Sequence, residues 1–187
     1  MDRAAIFIDG AYLENSLRNQ FASARVDFDA LSRKMVGNAD LLRTYYYNCP
    51  PYQGNPPSIE EKERYDKRRR FYTALERLSC YTVRLGRVEK RGFEEDGVTP
   101  RFEQKRVDIL LGVDLVQLAA KGQIQQAILL AGDSDFIPAV IAAKAEAVKV
   151  RLYHASNCHT DLWQEADERT EITRQFIDSI LLGQQFP

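Results

Sequence analysis

The stretch Ala127–Phe136, AILLAGDSDF, decides how the chain is read. Ile128, Leu129, Leu130 and Ala131 form a short continuous apolar run, the pattern of an inner strand in a parallel sheet covered on both faces. Gly132 lets the backbone turn. Asp133 or Ser134 can cap a helix continuing through Phe136, Val140, Ile141 and Lys144, with Pro138 tolerated only in its first turn. An apolar strand thus delivers Asp133 and Asp135 to its C-terminal end, where open α/β sheets bind ligands. Taken alone, the pair is explained as well by one aspartate capping a helix and the other being solvated.

Working outward, Ala4–Ile8 (AAIFI) is a second short apolar strand, and it too ends in aspartate and glycine, Asp9-Gly10. Tyr12, Leu13, Leu17 and Phe21 follow at helical spacing, and Asp27 can cap a second helix over Phe28–Val36. Leu41–Tyr47 (LLRTYYY) predicts a strand rich in aromatic β-formers. Pro50–Ser58 is a proline-rich loop, and Glu60–Leu78 a charged amphipathic helix with Tyr65, Phe71, Tyr72, Leu75 and Leu78 as its apolar positions. Tyr81–Val88 alternates like one half-exposed strand. Glu89–Gln104, polar around Glu94–Gly97, predicts a mobile excursion or a hairpin.

Arg106–Ala120 is apolar nearly all round and is expected to be a mostly buried helix carrying Asp108 and Asp114. Strand (Gln126–Ala131), helix (Ser134–Ala145), strand (Val148–Tyr153), helix (Thr160–Asp167) and a last helix near Thr173–Leu182 complete the order. Strands alternating with helices indicate a three-layer α/β sandwich around a mostly parallel sheet of about five strands. With 187 residues, 44% of them hydrophobic, and no strong composition break, one domain over 1–187 is expected.

A formal net charge of −1 gives no global field favouring nucleic acid or membrane. No stretch approaches the roughly 18 apolar residues of a membrane span, and MDRAAIFIDG lacks a signal-peptide pattern, so a cytoplasmic location is expected. Cys49, Cys80 and Cys158 are widely spaced without a CxxC, against a disulfide framework. His154, Cys158 and His159 lie close in sequence, but zinc would want a further ligand pair that the chain lacks.

In a doubly wound sheet, the strand ending at Asp9 and the strand preceding Asp133 can be neighbours, placing Asp9, Asp133 and Asp135 on one edge. Asp108, starting a helix, could face the same edge. Clustered carboxylates raise one another's pKa unless a cation compensates, so an all-oxygen set predicts a hard divalent ion, Mg²⁺ or Mn²⁺. Asp114 lies about 9 Å along the helix and about 120° around from Asp108. It cannot easily share that ion; it either orients the metal ligands or is a buried acceptor for backbone N–H groups, and the structural role is favoured. Asn15 and Ser134 could meet bound water or phosphate, or serve only as surface and cap.

Between Lys62 and Arg91 there are eleven Lys/Arg against four Asp/Glu, and Lys105 and Arg106 precede Asp108. Lys105 and Arg68, Arg69 and Arg70 are candidate phosphate contacts; the competing account of Lys67–Arg70 is a solvated helix face.

AAIFIDGAYL, FEQKRVDILLGVDLVQLA and AILLAGDSDFIPAV, in this order and spacing, resemble the NYN domain family, the PIN-like group that includes LabA-type proteins. LGRV at 85–88, VKVRLYH at 148–154 and LWQEADE at 162–168 extend the resemblance over essentially the whole chain. The resemblance implies a Rossmann-like PIN fold and a metal-dependent ribonuclease site whose acidic positions fall on Asp9, Asp108, Asp133 and Asp135. Two positions depart from it: Tyr12 stands where many relatives carry Asn, and Arg106 where they often carry Gly. The expected function is hydrolysis of RNA phosphodiesters with Mg²⁺ or Mn²⁺ held by the four aspartates. The alternative is a regulatory module that binds RNA or protein without cutting. Phe176, Ile177, Ile180 and Leu181 on the last helix could support a homodimer.

Overall fold

A computed structural model describes residues 1–93 and 99–183. Six strands, β1 (Arg3–Asp9), β2 (Asp40–Asn48), β3 (Tyr81–Leu85), β6 (Gln126–Leu130), β7 (Lys149–His154) and β8 (Glu168–Glu171), form the main sheet in the order β3-β2-β1-β6-β7-β8. Every neighbouring pair in it is parallel. The remaining two strands, β4 (Arg87–Phe93) and β5 (Pro100–Lys105), pair antiparallel as a separate ribbon. The expected excursion is therefore a hairpin, with Glu94–Gly97 outside the described residues.

Alternation along β1 sorts the helices into two layers. Ala4, Ile6 and Ile8 face one side. There they meet helices α1 (Gly10–Gln20), α2 (Phe28–Val36), α3 (Ile59–Glu76) and α7 (Arg174–Asp178), through Leu13, Leu17, Leu31, Met35, Tyr72, Leu75 and Phe176. Ala5 and Phe7 face the other, with α4 (Val107–Ala120), α5 (Ile137–Ala145) and α6 (Thr160–Glu165), through Leu111, Leu115, Val140, Ala143 and Leu162. Period-two alternation on strands apolar on both faces is what builds this three-layer sandwich. The chain starts in the centre at β1, moves outward through β2 and β3, and returns to β6 before moving outward the other way. The switch point lies between β1 and β6.

Four local departures from the sequence-based expectation have physical causes. Tyr81–Val88 is two strands, because a turn at Gly86 sends β3 into the sheet and β4 into the ribbon. A Cβ at Gly86 would collide with the Lys105 carbonyl, and would lie 2.8 Å from Val107 Cγ2 and 3.0 Å from Cys49 Sγ. The sheet has a sixth strand because Glu168–Glu171, ERTE, pairs with β7 while all four residues are exposed. Helix α4 is not buried all round, since Ile109 is 71% and Val113 46% exposed. Phe176, Ile177 and Ile180 are buried in the chain's own core, which removes the apolar surface on which a homodimer through the last helix was expected.

Among the described residues no helix is long and apolar enough to cross a membrane. Cys49, Cys80 and Cys158 are free thiols.

Candidate metal centre

Two glycine-marked turns at the switch point frame the site. Strand β1 delivers Asp9, whose side chain caps α1 by accepting the Tyr12 amide at 3.0 Å. Strand β6 ends at Leu130, paired with Ile8 of β1, and Asp133 follows three residues later. Asp133 caps the single 3-10 turn Ser134–Phe136 by accepting the Asp135 amide at 3.0 Å. Both aspartates therefore do cap helical turns. That capping fixes where the carboxylates point.

The glycines are required by close approach, not by unusual backbone angles. A Cβ on Gly10 would lie 2.5 Å from Tyr46 Cζ and 2.7 Å from the Tyr47 carbonyl. A Cβ on Gly132 would enter the ring of Tyr12, 2.6 Å from its Cζ. Tyr12 is thus a structural residue: its ring seals the Gly132 turn and its hydroxyl accepts the Ala155 amide at 2.9 Å, tying α1 to the loop after β7. Burial drives its phenol up to about 12.

The predicted aspartates influence one another pairwise, although Asp9 and Asp133 line one depression and Asp108 and Asp135 another. Asp9 is only 9% exposed, and burial is the main reason its carboxyl is pushed up to about 6; the Tyr12 amide opposes the rise, while Asp108 and Asp133 add to it. Asp108, in the first turn of α4, is also raised, first by partial burial and then by Asp133 and Asp135. Like charges close enough to perturb one another make a site that favours a cation. Among the described residues, however, no three His, Cys, Asp or Glu side chains are gathered into a group that could hold a metal ion unaided. The oxygen donor set fits Mg²⁺ or Mn²⁺, which often take one or two carboxylates and fill their remaining positions with water and substrate phosphate.

The other predicted residues are placed as follows. Ser134 lies in the 3-10 turn between the paired aspartates and is partly exposed. Lys105 is ion-paired with Glu103. Arg68 is taken up by Glu14, with two guanidinium N–H groups donating to its carboxylate at 2.6 and 2.7 Å. Arg69 and Arg70 are exposed on α3, about 100° and 200° around the helix from Arg68. Asp114 accepts from the Tyr47 hydroxyl at 2.9 Å and from Arg84 Nε at 3.1 Å, so it is a structural acceptor for side chains of β2 and β3 and not for the backbone N–H groups expected.

Sequence reasoning missed the contribution of the loop after β7. Asn157 and His159 line one depression with Asp9, Asn15 and Asp133. The His159 amide donates to the Gly132 carbonyl at 2.8 Å, and its ring Nδ1 accepts the Asp161 amide at 3.3 Å. With Nδ1 as an acceptor, a neutral ring carries its proton on Nε2. Their position after a parallel strand was the available signal, since every such loop emerges at the same sheet edge.

The fold and site define a doubly wound α/β protein with an acidic cluster at its switch point. The chain belongs to the NYN domain family, whose model matches residues 3–175. Members of this family are generally PIN-like nucleases, and membership supports a nuclease-type role. Among solved structures, the chain is similar to a protein of unknown function, VPA0982, from Vibrio parahaemolyticus RIMD 2210633. That likeness has a TM-score of 0.68 at 19% identity and covers 97% of this chain and 96% of the other, which establishes the shared fold. No curated protein gives a significant match.

Proposed function

We propose that this protein is a metal-dependent ribonuclease that hydrolyses RNA phosphodiesters at Asp9, Asp108, Asp133 and Asp135. The observation that carries the reading is the buried Asp9 carboxylate, raised to about 6 and electrostatically coupled to Asp108 and Asp133 at the switch point. A buried acidic group surrounded by others is costly unless a positive charge compensates it. Mg²⁺ or Mn²⁺, when bound, would supply Lewis acidity at a phosphoryl oxygen and a more acidic water.

The chain's own residues supply the placement. Asp9 and Asp133 are oriented by the amides they cap, so their outward oxygens are set before substrate arrives. Asn15, Asn157 and the Nε2–H of His159 border the same depression and can donate to phosphate oxygens. RNA as the substrate class rests on the family resemblance, and a cytoplasmic location belongs to the same proposal.

The test is hydrolysis of single-stranded and structured RNA by purified protein with Mn²⁺, alongside Asp133→Asn prepared identically. Wild-type cleavage that disappears in the variant supports the enzyme. Intact RNA with both proteins overturns it. The rival, a non-cleaving module that binds RNA or protein, is favoured by there being, among the described residues, no three-ligand group ready to hold an ion. RNA binding that persists in EDTA, with all four aspartates neutralised and no cleavage by the wild type, would establish RNA binding without cutting.

A further inference from the structure

Helix α3 was expected to meet phosphate through the run Arg68–Arg70. The structure redirects that expectation. Arg68 is held by Glu14 of α1 and lies over the rings of Phe71 and Tyr72, with its guanidinium carbon 5.6 and 5.7 Å from their centroids. Glu14 also accepts from the Tyr46 hydroxyl at 2.6 Å and from Asn48 Nδ2 at 3.0 Å. This knot pins α3 to α1 and to the end of β2.

The surface beside the knot carries a row of three depressions that adjoin through shared lining residues and together form a groove. The depression containing Asp9 and Asp133 shares Ala11 and Asn15 with a second one bordered by Arg18. The second shares Pro51 and Arg68 with a third bordered by Arg64 and Lys67. Arg18, Arg64 and Lys67 are exposed. Among the described residues Glu14 is the sole carboxylate lining these two outer depressions, and it is engaged by Arg68. The groove thus runs from an acidic centre into a strip of three exposed cations.

We infer that Arg18, Arg64 and Lys67 form a track for the sugar-phosphate backbone of single-stranded RNA, leading several nucleotides of one substrate strand to the aspartates. This deepens the ribonuclease reading and rests on it for the substrate class. The chemistry selects a polyanion that tolerates the acidic end. A strand bearing phosphates can meet cations along the track and share a divalent ion with the aspartates at its end. Arg68 acts as the strut that keeps Arg64 and Lys67, on the same side of α3, beside α1.

The experiment measures affinity for a single-stranded RNA of about twelve nucleotides across a salt series, in an Asp133→Asn background that blocks turnover. The combined variant R18A/R64A/K67A is compared with R25A/R77A/K121A. The latter removes the same charge from exposed sites at the opposite edge of the sheet, where α1, α3 and α4 end. The track variant is expected to lose about ten- to a hundredfold affinity at low salt. The slope of log K against log salt should fall by about 2, at roughly 0.7 per lost single-strand phosphate contact. The control variant should keep the wild-type slope. Equal losses in the two variants, or an unchanged slope in the track variant, would overturn the track. Unchanged circular dichroism and thermal midpoints show that both variants fold. Manganese-dependent cleavage by the wild type is scored separately: slope loss without cleavage leaves the track standing and removes the nuclease.

Discussion

The two central strands end in the same residue types in opposite order, Asp9-Gly10 after β1 and Gly132-Asp133 after β6, yet they hold their carboxylates differently. Asp9 is buried and raised to about 6, whereas Asp133 is exposed. Each glycine lies under a tyrosine ring, Tyr46 over Gly10 and Tyr12 over Gly132, but the three atoms nearest a Cβ at Gly10 include the Tyr47 carbonyl, whereas all three at Gly132 belong to Tyr12. One end is thus a rigid, desolvated anchor and the other an exposed lip. Burial at the anchor strengthens any interaction with a cation, and exposure at the lip leaves room for substrate.

The largest effect tests whether both ends serve one ion. Asp9→Asn and Asp133→Asn should each lower Mn²⁺-dependent RNA hydrolysis by a factor of about a hundred or more, since ion-based stabilisation of the transition state is worth several kcal/mol. If Asp133→Asn keeps wild-type rates while Asp9→Asn does not, the lip plays no part in the chemistry and the comparison breaks.

Stability separates the same two variants. A carboxyl raised from 3.8 to about 6 binds more protons folded than unfolded, so stability falls as pH rises through that window. In metal-free protein the penalty is fully present above pH 6 and absent below the ordinary 3.8. From that difference it amounts to about 3 kcal/mol. Asp9→Asn, which keeps an oxygen for the Tyr12 amide, should therefore stabilise the protein in EDTA at pH 7.5 by up to about that amount and do nothing at pH 3.5. Asp133→Asn should change stability by less than about 0.5 kcal/mol, because asparagine caps as well as aspartate. Urea melts at the two pH values check both; a pH-independent gain in Asp9→Asn would show that packing is its cause.

The glycines sharpen the contrast further. Gly132→Ala should cost about 1–3 kcal/mol, as overpacking does, and Tyr12→Leu in the same chain should recover part of it, because the obstacle is one side chain. Gly10→Ala should cost at least as much, with little recovery from Tyr46→Leu, because the Tyr47 carbonyl at 2.7 Å remains. Equal recovery at both ends would remove the distinction between anchor and lip.

The sequence carried the strand ends because burial on both faces writes an uninterrupted apolar run, and AAIFI and AILLA are such runs. It concealed β8 because ERTE has no apolar residue to mark it: the strand is held at the sheet edge by backbone pairing and by Glu168 ion pairs to Lys149 and Arg151 of β7, where charged side chains are usual. The aspartates were legible as residues following apolar strands. The Glu14–Arg68 knot was not, since its partners are 54 positions apart and meet only when α3 packs on α1. Tyr12 was legible as a departure from the family pattern, but its burial under Gly132 required the turn to be seen in space.

The smallest effect concerns Asp108, which α4 carries to the same edge. The helix is entered through Arg106 in the left-handed region, at φ 78°, with no side-chain hydrogen bond capping the first turn. That conformation costs an L-residue about 1–2 kcal/mol and glycine nothing, which gives a physical reason for the glycine that the family resemblance implies at this position. Arg106→Gly should therefore stabilise the fold by about 0.5–1 kcal/mol, the relief of strain being partly offset by the greater freedom of glycine in the unfolded chain. Hydrolysis should stay within about threefold of wild type if Asp108 is placed by the helix entry alone. A stability gain with a tenfold loss of hydrolysis would show instead that the guanidinium contacts substrate, turning a strained entry into a third element of the site beside anchor and lip.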